Sequence, residues 1–469
     1  MTNRLLFILT LSFCFVLFFH KKVVGQSVKS TEFTLLAAKA DTLLRDAIQY
    51  KEHVGLTAGI YADGQTAWTG GAGFRDLKAE APANANMVNR TASIAKSMTA
   101  VAIMQLAEKG KLEVDATVQT YVPEFPKKPE GAITIRQLLT HTSGIPHYKG
   151  MLDGFSLREF KTLEKAVKRF QNRKLVGIPG AVYKYTTYGY VLLGLVIERC
   201  SGMAYEDYMK KYIWEVAEMN DTSVEHKKQE PVNKSRLYRV GKKGQLKKDM
   251  NTNISMKIPG GGLQTTAADL LKFGKALINH QLVSAETLEK MFYNPKLKKQ
   301  GNPYIMGFLI YADDERGRII GHSGAQAGTN TQMMILLDKG IVVSCLSNTR
   351  GGGNTQYLAW QLIDLALNKS VREAPIRKAI TASPKEMNRF VGTYDFGKGQ
   401  LLTISEKEGQ LYSQVNKNPM LKLYVQDEST IFYRNFAASF AFEFDAASGQ
   451  VSKTTYVQNG EAMYPKKIR

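Results

Sequence analysis

Residues 93–110 of this chain read SIAKSMTAVAIMQLAEKG. The spacing predicts a helix from about Ser93 to Lys109, with Gly110 as its C-terminal cap. Apolar residues occupy most positions after Lys96, so the helix lacks a polar face and should be buried on nearly all sides. We therefore expect Ser93 and Lys96 at the exposed mouth of a core helix.

The segments around this helix alternate between strand and helix patterns. Residues 55–69 predict a hairpin, because Asp63-Gly64 lies between two β-prone runs. Helical patterns dominate residues 130–290, and they include 188–199 and 267–279. Four β-rich runs follow, at 304–311, 318–322, 331–337 and 340–347, before a predicted helix at 357–367. Strands at both ends of a domain favour one shared sheet, so we predict an α+β fold: an antiparallel sheet flanked by helices, with a mainly helical second lobe.

The C-terminal part of the chain has a different pattern of apolar and polar residues. From about residue 383, short alternating runs recur at regular spacing, separated by turn residues such as Gly409 and Ser448-Gly449. This pattern is typical of a small all-β barrel or sandwich. We predict a main domain over residues 26–379 and a β domain over residues 380–469.

The N-terminus predicts export. Residues 5–19 form an apolar run behind Arg4, and residues 23–25 are small or modest in size, as at a signal-peptidase site. We expect residues 1–25 to be a signal peptide and the protein to be periplasmic or extracellular. A retained membrane anchor is the alternative, although the run is shorter than the roughly 20 residues of a full span.

The charge balance narrows the range of partners. Removing residues 1–25 takes away three basic residues and no acidic one, which lowers the net charge from +21 to +18. A basic surface favours anionic neighbours such as an envelope polymer. Export and the absence of a recognisable binding module argue against nucleic acid. Cys200 and Cys345 lie in apolar contexts and are expected to be buried free thiols.

Ser93 and Lys96 form a candidate nucleophile and base. Residues three apart on a helix share a face, with Cβ atoms about 5 to 6 Å apart, so the amine can reach the hydroxyl. The helix N-terminus would also favour an oxyanion formed at Ser93. Lys96 can act as a base only if burial or a nearby cation lowers its pKa. A capping serine followed by a solvated lysine is the alternative reading of these residues.

Two distant segments supply further candidates. Tyr185, in a loop that opens a helix, could relay the serine proton, partly as a phenolate beside an ammonium. Residues 321–325, GHSGA, lie on a predicted strand whose edge could pair with an extended substrate. There the N–H of Ala325 would be a second oxyanion donor. Taken singly, a clustered tyrosine is usually core packing, and His322 beside glycine is usually structural.

Together the three segments resemble the serine β-lactamase and penicillin-binding-protein superfamily, nearest its class C, D-aminopeptidase and esterase branch. Two supporting stretches are also similar to that family, ITIRQLLTHTSGIP at 133–146 and PGGGLQTTAADL at 259–270. The resemblance spans about residues 35–370. The C-terminal region resembles, more weakly, the lipocalin-like barrel that often follows such domains.

The resemblance implies a set of roles for individual residues. Ser93 would attack an acyl carbon, Lys96 and Tyr185 would move protons, and water would then release the acyl-enzyme. The N–H groups of Ser93 and Ala325 would hold the oxyanion. His322 would add positive potential and a hydrogen bond on the Tyr185 side.

Substrate-binding roles follow from the same resemblance for Ser323, Gly324 and Thr187. Thr187 stands where many relatives carry asparagine, whose amide gives and accepts hydrogen bonds from a longer side chain than the threonine hydroxyl. The substrate is accordingly a peptide, an ester or a β-lactam, and Thr187 favours a D-amino-acid peptidase or esterase over an efficient β-lactamase. No cofactor or metal is implied, and the oligomeric state is left open.

Other classes of protein fit less well. The chain lacks the Gly-x-Ser-x-Gly elbow of α/β-hydrolases. Its seven histidines show no zinc-binding helix spacing, and His141 and His147 are expected to be structural. A catalytically silent protein that binds an envelope polymer or peptidoglycan is the remaining alternative.

Overall fold

The computed structural model describes most of residues 32–468. The residues in that range that it leaves undescribed are 50–52, 155–156, 227–228, 242–244, 293–303, 315, 352, 354, 372–378, 398, 417–419, 434–437 and 459–460. The signal peptide predicted over residues 1–25 lies outside the described residues. The domain boundary predicted at residue 379 directly follows one of the gaps.

The chain forms two compact units. The first runs up to Gly351 and includes Leu365–Leu367, and the second comprises Gly352–Asp364 and Asn368–Arg469. Within the described residues, no helix combines the length and the apolar character needed to cross a bilayer. The two cysteines in the described part of the chain are free, with Cys345 buried and Cys200 half-buried.

An eight-stranded antiparallel sheet organises the first unit. Its strands, in spatial order, are Ala81–Pro82, Gln65–Asp76, Gly55–Ala62, Ile341–Ser347, Thr329–Leu336, Gly317–Gln326, Phe308–Asp314 and Tyr304–Ile305. The predicted hairpin turn is present, with positive φ angles of 50° at Asp63 and 79° at Gly64. As predicted, strands from both ends of this unit meet in one sheet, because Gly55–Ala62 pairs with Ile341–Ser347.

Helices cover the sheet and build the second lobe. Their bounds are Ala95–Glu108, Val118–Tyr121, Ile135–Leu139, Met151–Gly154, Leu163–Val167, Thr187–Ser201, Tyr205–Met209, Ile258–Gly261, Ala267–Ile278 and Ala285–Phe292, with a further helix over residues 32–49. Short 3₁₀ turns occupy Ala92–Ile94, Ser255–Lys257 and Leu337–Lys339, and a π-helical turn occupies Lys210–Trp214. Two small three-stranded sheets complete the unit, one of Asn89–Arg90, Leu263–Thr265 and Ser223–Val224, the other of Thr349–Arg350, Tyr238–Val240 and Leu246–Lys248.

The helix Ala95–Glu108, here called the serine helix, lies in the core. Every residue from Ala95 to Leu106 is buried, which confirms the expectation from its apolar sequence. It packs against the helix Thr187–Ser201, here called the tyrosine helix, which is itself buried from Thr187 to Ile197. Ser93 and Tyr185 each lie just before the N-terminus of one of these buried helices, so the packing of the two helices brings the residues close together.

The second unit contains a nine-stranded antiparallel sheet and two helices, Thr355–Ala366, whose last two residues belong to the first unit, and Pro384–Asn388. Its strands, in spatial order, are Glu461–Met463, Val451–Gln458, Ala438–Phe444, Thr430–Phe432, Leu421–Val425, Gln410–Val415, Leu401–Lys407, Gly392–Asp395 and Lys466–Lys467. Met463 and Lys466 lie on opposite edges yet are three residues apart in sequence, a span of about 10 Å at most. The sheet must therefore curl until its two edges approach, which gives a half-barrel and agrees with the small all-β domain predicted from the sequence.

Candidate active site

Ser93 lies in the 3₁₀ turn Ala92–Ile94, which runs directly into the serine helix. Ala92 has a φ of 47°, a left-handed value that is unfavourable for a residue with a side chain. The strand Gly317–Gln326 presses against this turn at Gly324, where a Cβ atom would lie 2.6 Å from the Thr91 carbonyl oxygen and 2.9 Å from the Ala92 Cβ. Glycine at position 324 thus lets the strand and the serine come close together.

Lys96 is placed to act as the base. Its Nζ lies 3.1 Å from Ser93 Oγ and donates to the Gly260 carbonyl oxygen at 2.6 Å. The side chain is buried, and burial lowers the pKa of Lys96 well below its ordinary value, with a further contribution from the charge of Lys257. A neutral amine beside the serine hydroxyl can accept its proton.

Tyr185 completes the arrangement. Its hydroxyl is hydrogen-bonded to the Ser93 side chain, and its ring centroid is 5.0 Å from Lys96 Nζ. Burial raises the pKa of Tyr185 above its ordinary value, and the hydrogen bond to Ser93 only partly offsets this. The residue is therefore a neutral phenol at neutral pH, not the partial phenolate that the sequence suggested. A neutral phenol can relay a proton, but it is not the base that first removes the proton from Ser93.

Lys257 is a second buried lysine near the site. It ends the 3₁₀ turn Ser255–Lys257, directly before the helix that contains Gly260. Burial and the charge of Arg90 lower the pKa of Lys257 to about 8, so it carries a positive charge at neutral pH. That charge helps to keep Lys96 neutral.

The substitution Lys257→Met is expected to raise the pKa of Lys96, because it removes a neighbouring positive charge. Since the base must be neutral, the acidic limb of the pH profile of kcat/KM should move to higher pH. The profile can be measured with a p-nitrophenyl ester. Lys257→Arg keeps the charge and serves as the matched control. Coincident profiles for the methionine and arginine variants would remove Lys257 from the electrostatics of the site.

His322 differs from its expected role. Its Nδ1 donates to the Ser323 carbonyl oxygen at 2.5 Å, so in the neutral ring Nε2 accepts from the Tyr304 hydroxyl at 3.1 Å. Burial is the main cause that lowers the pKa of His322 to about 3. The ring is neutral at neutral pH, so it does not add the positive potential that the sequence led us to expect. It lies 6.3 Å from the Tyr185 ring, between centroids, and its two hydrogen bonds go to Ser323 and Tyr304.

The strand edge at residues 322–326 faces the serine turn without a described partner strand. The strand Phe308–Asp314 pairs only with the part of Gly317–Gln326 that ends at Gly321. Within the described part of the chain, His322–Gln326 are therefore paired on one side only, with Thr329–Asn330 and the residues that follow. Ser323 is half-buried, Gly324 is buried and Ala325 is exposed, as a binding edge requires.

Thr187 lies on the Lys96 side of the cleft. It is the first residue of the tyrosine helix, and it is buried. A Cβ placed on Gly260 would lie 2.6 Å from the Thr187 methyl carbon, so Thr187 packs against the turn whose carbonyl binds Lys96. Its backbone N–H donates to His147 Nδ1 at 3.3 Å. Thr187 thus forms part of the wall that surrounds the base.

A cluster of buried charged side chains lies next to the turn that carries Ser93. Arg90, three residues before Ser93, binds Glu225 at 2.5 Å and donates to the carbonyl oxygens of Thr252 at 3.0 Å and Ala327 at 3.3 Å. Lys234 Nζ binds the other Glu225 oxygen at 2.6 Å. Burial alone would raise the pKa of Glu225, but Lys234 and Arg90 outweigh it and lower the value to about 2. The Glu225 carboxylate therefore forms ion pairs with both Arg90 and Lys234 close to the active site.

The substitution Glu225→Gln is expected to lower the free energy of unfolding by about 3 to 5 kcal/mol, because it leaves two buried cations without their counter-charge. The folded-state pKa of Glu225 is depressed, so its contribution is fully present above the unfolded pKa of about 4.3 and is lost as the pH falls towards about 2. Denaturant unfolding at pH 7 and at pH 3 measures both effects. Glu230→Gln breaks an exposed ion pair with Arg236 and should cost at most about 1 kcal/mol. Equal losses for the two variants would contradict this account.

Sequence reasoning missed three residues of this site: Lys257, Tyr304 and His141. Lys257 lies two residues before the glycine-rich stretch at 259–262, but nothing local marks it as buried. Tyr304 is the first residue of a strand and joins the site only through the sheet pairing. Among the residues described, no group of three or more metal-ligating side chains converges.

Comparison with known proteins agrees with this geometry. Residues 40–368, more than half of the chain, match the family model described as Beta-lactamase. Penicillin-binding protein 4* of Bacillus subtilis is 28% identical over 391 residues, which cover 79% of this chain and 86% of that protein. Esterase EstB of Burkholderia gladioli is 31% identical over 199 residues, which cover 38% of this chain and 50% of the esterase.

The fold has a solved counterpart of nearly the same extent. The structure of the octameric penicillin-binding protein homologue from Pyrococcus abyssi superimposes with a TM-score of 0.66 and 25% sequence identity. The match covers 92% of this chain and 99% of that one. The similarity therefore extends over both units of the chain.

Proposed function

Because the chain belongs to the Beta-lactamase family, we propose that it is an exported serine hydrolase that cleaves a D-amino-acid peptide or an ester through an acyl-enzyme on Ser93. The observation that carries the proposal is the 3.1 Å contact between Ser93 Oγ and the buried amine of Lys96. A solvated lysine would be protonated at neutral pH, whereas this one has its pKa lowered by burial and by Lys257. Both causes shift the pair towards the protonation state that nucleophilic attack needs.

Acylation would proceed in two proton transfers. Lys96 Nζ takes the Ser93 proton as Oγ forms a bond to the acyl carbon, and the carbonyl π electrons move to oxygen. When the intermediate collapses, the bond to the leaving group breaks. The proton then passes to that group through the Tyr185 hydroxyl, which is hydrogen-bonded to Ser93. Water repeats the sequence on the acyl-enzyme, and the acid product leaves with Ser93 restored.

The oxyanion would be held by the backbone N–H groups of Ser93 and Ala325. Two hydrogen bonds hold the surroundings of Ala325 in place: one runs from the neighbouring strand Thr329–Leu336 to Thr91, beside the serine turn, and the other from Gln326, on the strand of Ala325 itself, to the helix Ile258–Gly261. Thr331 Oγ1 donates to the Thr91 carbonyl oxygen at 2.9 Å, and Gln326 Nε2 donates to the Gly261 carbonyl oxygen at 3.1 Å. Donors held in place before the reaction stabilise the developing charge without reorganisation.

The substrate class follows from the edge strand and from Thr187. The one-sided pairing of His322–Gln326 favours an extended substrate that adds a strand there, as a peptide does. Thr187 offers a short hydroxyl where an amide-reading site would have a longer side chain. We therefore place a D-peptide or an ester ahead of a β-lactam.

The proposal also includes export of the protein, an anionic envelope polymer as its neighbour and a lipocalin-like form for the C-terminal unit. The apolar run at residues 5–19 would direct the chain to the periplasm or the exterior. The mature net charge of +18 would favour an anionic envelope polymer as a neighbour. The curled sheet of the second unit has the strand order expected of a lipocalin-like barrel, in which each strand pairs with its sequence neighbour.

A substrate screen tests the proposal. Purified protein is incubated with nitrocefin, p-nitrophenyl esters and D-alanyl peptides, and a fluorophosphonate probe reports on the serine. We expect labelling by the probe and turnover of an ester or a D-alanyl peptide. A wild-type protein that is never acylated would favour the second candidate, a silent binder of an envelope polymer, for which the high positive charge is the supporting observation.

A further inference from the structure

We propose that His141 is a positioning residue that fixes Tyr185 against Ser93 by holding the backbone on both sides of the tyrosine. This inference rests on the proposed function, because it assigns His141 a part in the reaction of Ser93. It differs from the structural role that the sequence alone suggests for a histidine in a turn.

The anchoring involves two hydrogen bonds to one residue. The carbonyl oxygen of His141 accepts from the N–H of Lys184 at 2.8 Å. The side-chain Nδ1 of His141 accepts from the N–H of Thr186 at 3.2 Å. Lys184 and Thr186 are the two neighbours of Tyr185 in sequence, so the backbone is tied to the same residue immediately before and immediately after the tyrosine.

The imidazole ring also contacts the phenol directly. The ring centroids of His141 and Tyr185 are 4.2 Å apart, with an interplanar angle of 47°. Tyr304 and Tyr190 flank the imidazole at 4.3 Å and 5.2 Å. A ring packed among three tyrosines cannot rotate freely, so it limits the side-chain rotation of Tyr185 as well.

The backbone of His141 is held in an unfavourable conformation. Its φ is 57°, in the left-handed region, which histidine tolerates better than most residues with side chains. The conformation follows the end of the helix Ile135–Leu139 and turns both the carbonyl oxygen and the imidazole towards 184–186. Strained residues of this kind persist where the surrounding structure requires them, and they are concentrated at functional sites.

The protonation state of the ring suits a permanent anchor. Nδ1 accepts a hydrogen bond, so the proton of the neutral ring lies on Nε2, which has no hydrogen-bond partner among the described residues. Burial lowers the pKa of His141 well below its ordinary value. The ring therefore stays neutral, and Nδ1 remains available to the Thr186 N–H.

Two substitutions of His141 distinguish the contribution of its hydrogen-bond acceptor from that of its aromatic ring. His141→Phe keeps an aromatic ring and removes the acceptor, whereas His141→Asn keeps an acceptor and tolerates a positive φ. We expect His141→Phe to lower kcat by on the order of 10²-fold, the cost of a misplacement of about 1 Å, with KM little changed. His141→Asn should recover most of that loss. If the phenylalanine variant does not fold, His141→Gly, which adopts a positive φ and also lacks the acceptor, takes its place in the cycle described next.

A double-mutant cycle gives the decisive result. If His141 acts through the Tyr185 hydroxyl, His141→Phe should cost little more once Tyr185→Phe has removed that hydroxyl. Equal losses in the two backgrounds would overturn the proposal and leave His141 with a structural role only.

A crystal structure of His141→Phe adds a readout that needs no activity. We expect the Tyr185 hydroxyl to lie beyond hydrogen-bonding distance of Ser93, and an unmoved hydroxyl would likewise overturn the proposal. A wild-type protein without turnover would refute the proposed function, whereas the position of Tyr185 in this variant would still decide the anchoring.

Discussion

Replacing Ser93 by alanine is expected to abolish acyl-enzyme formation while leaving the fold intact. Oγ is the atom that would bond to the acyl carbon, and the loss of a serine nucleophile typically lowers kcat by roughly 10⁶-fold. Ser93 lies in a 3₁₀ turn at the edge of the cleft and not within the packed stretch Ala95–Leu106, so its removal leaves that core in place. Covalent labelling by a fluorophosphonate probe, followed by intact-mass measurement, detects the acylated species directly.

Ser97→Ala is the matched control for this experiment. Ser97 lies four residues further along, inside the serine helix, and its hydroxyl donates to the Gly307 carbonyl oxygen at 2.7 Å. This variant loses a buried hydrogen bond but should still be labelled. Turnover retained in a clean Ser93→Ala preparation would refute the assignment of the nucleophile.

Tyr185→Phe is expected to slow acylation by about 10² to 10⁴, the usual contribution of a positioned proton donor or acceptor. The phenylalanine keeps the ring that packs on His141 and removes only the hydroxyl that is bonded to Ser93. Single-turnover kinetics with a p-nitrophenyl ester would separate acylation from the later hydrolysis.

Tyr183→Phe provides the comparison. Tyr183 is half-buried two residues earlier and also packs near His141, at 6.1 Å between ring centroids. Its loss should change the acylation rate little. An acylation rate unaffected by Tyr185→Phe would remove Tyr185 from the mechanism.

Much of the fold could be predicted because local patterns decided it. The Asp63-Gly64 turn, the apolar serine helix and the alternating runs after residue 383 each specify one kind of element. The runs at 410–415 and 401–405, for example, correspond to the strands Gln410–Val415 and Leu401–Lys407. The three segments that carry Ser93, Tyr185 and His322 could also be recognised, since each has its own motif.

The electrostatics of the site could not be read from the sequence. Whether a tyrosine is a phenolate or a histidine is charged depends on burial, and burial is set by residues distant in the chain. Tyr185 and His322 are both enclosed, so both are neutral at neutral pH. Lys257 and His141 matter for the same reason, because only the folded chain brings their nitrogen atoms near Lys96 and Tyr185.

The half-open edge at His322–Gln326 has a consequence for molecular selection. A strand edge offers only peptide N–H and C=O groups, which are the same for every residue type. Pairing with this edge therefore selects molecules with an extended backbone, whatever side chains they carry. Selectivity for particular side chains must then come from the residues that line the cleft near Thr187 and His147. Changes in those residues would alter what is accepted without disturbing the bond-making atoms.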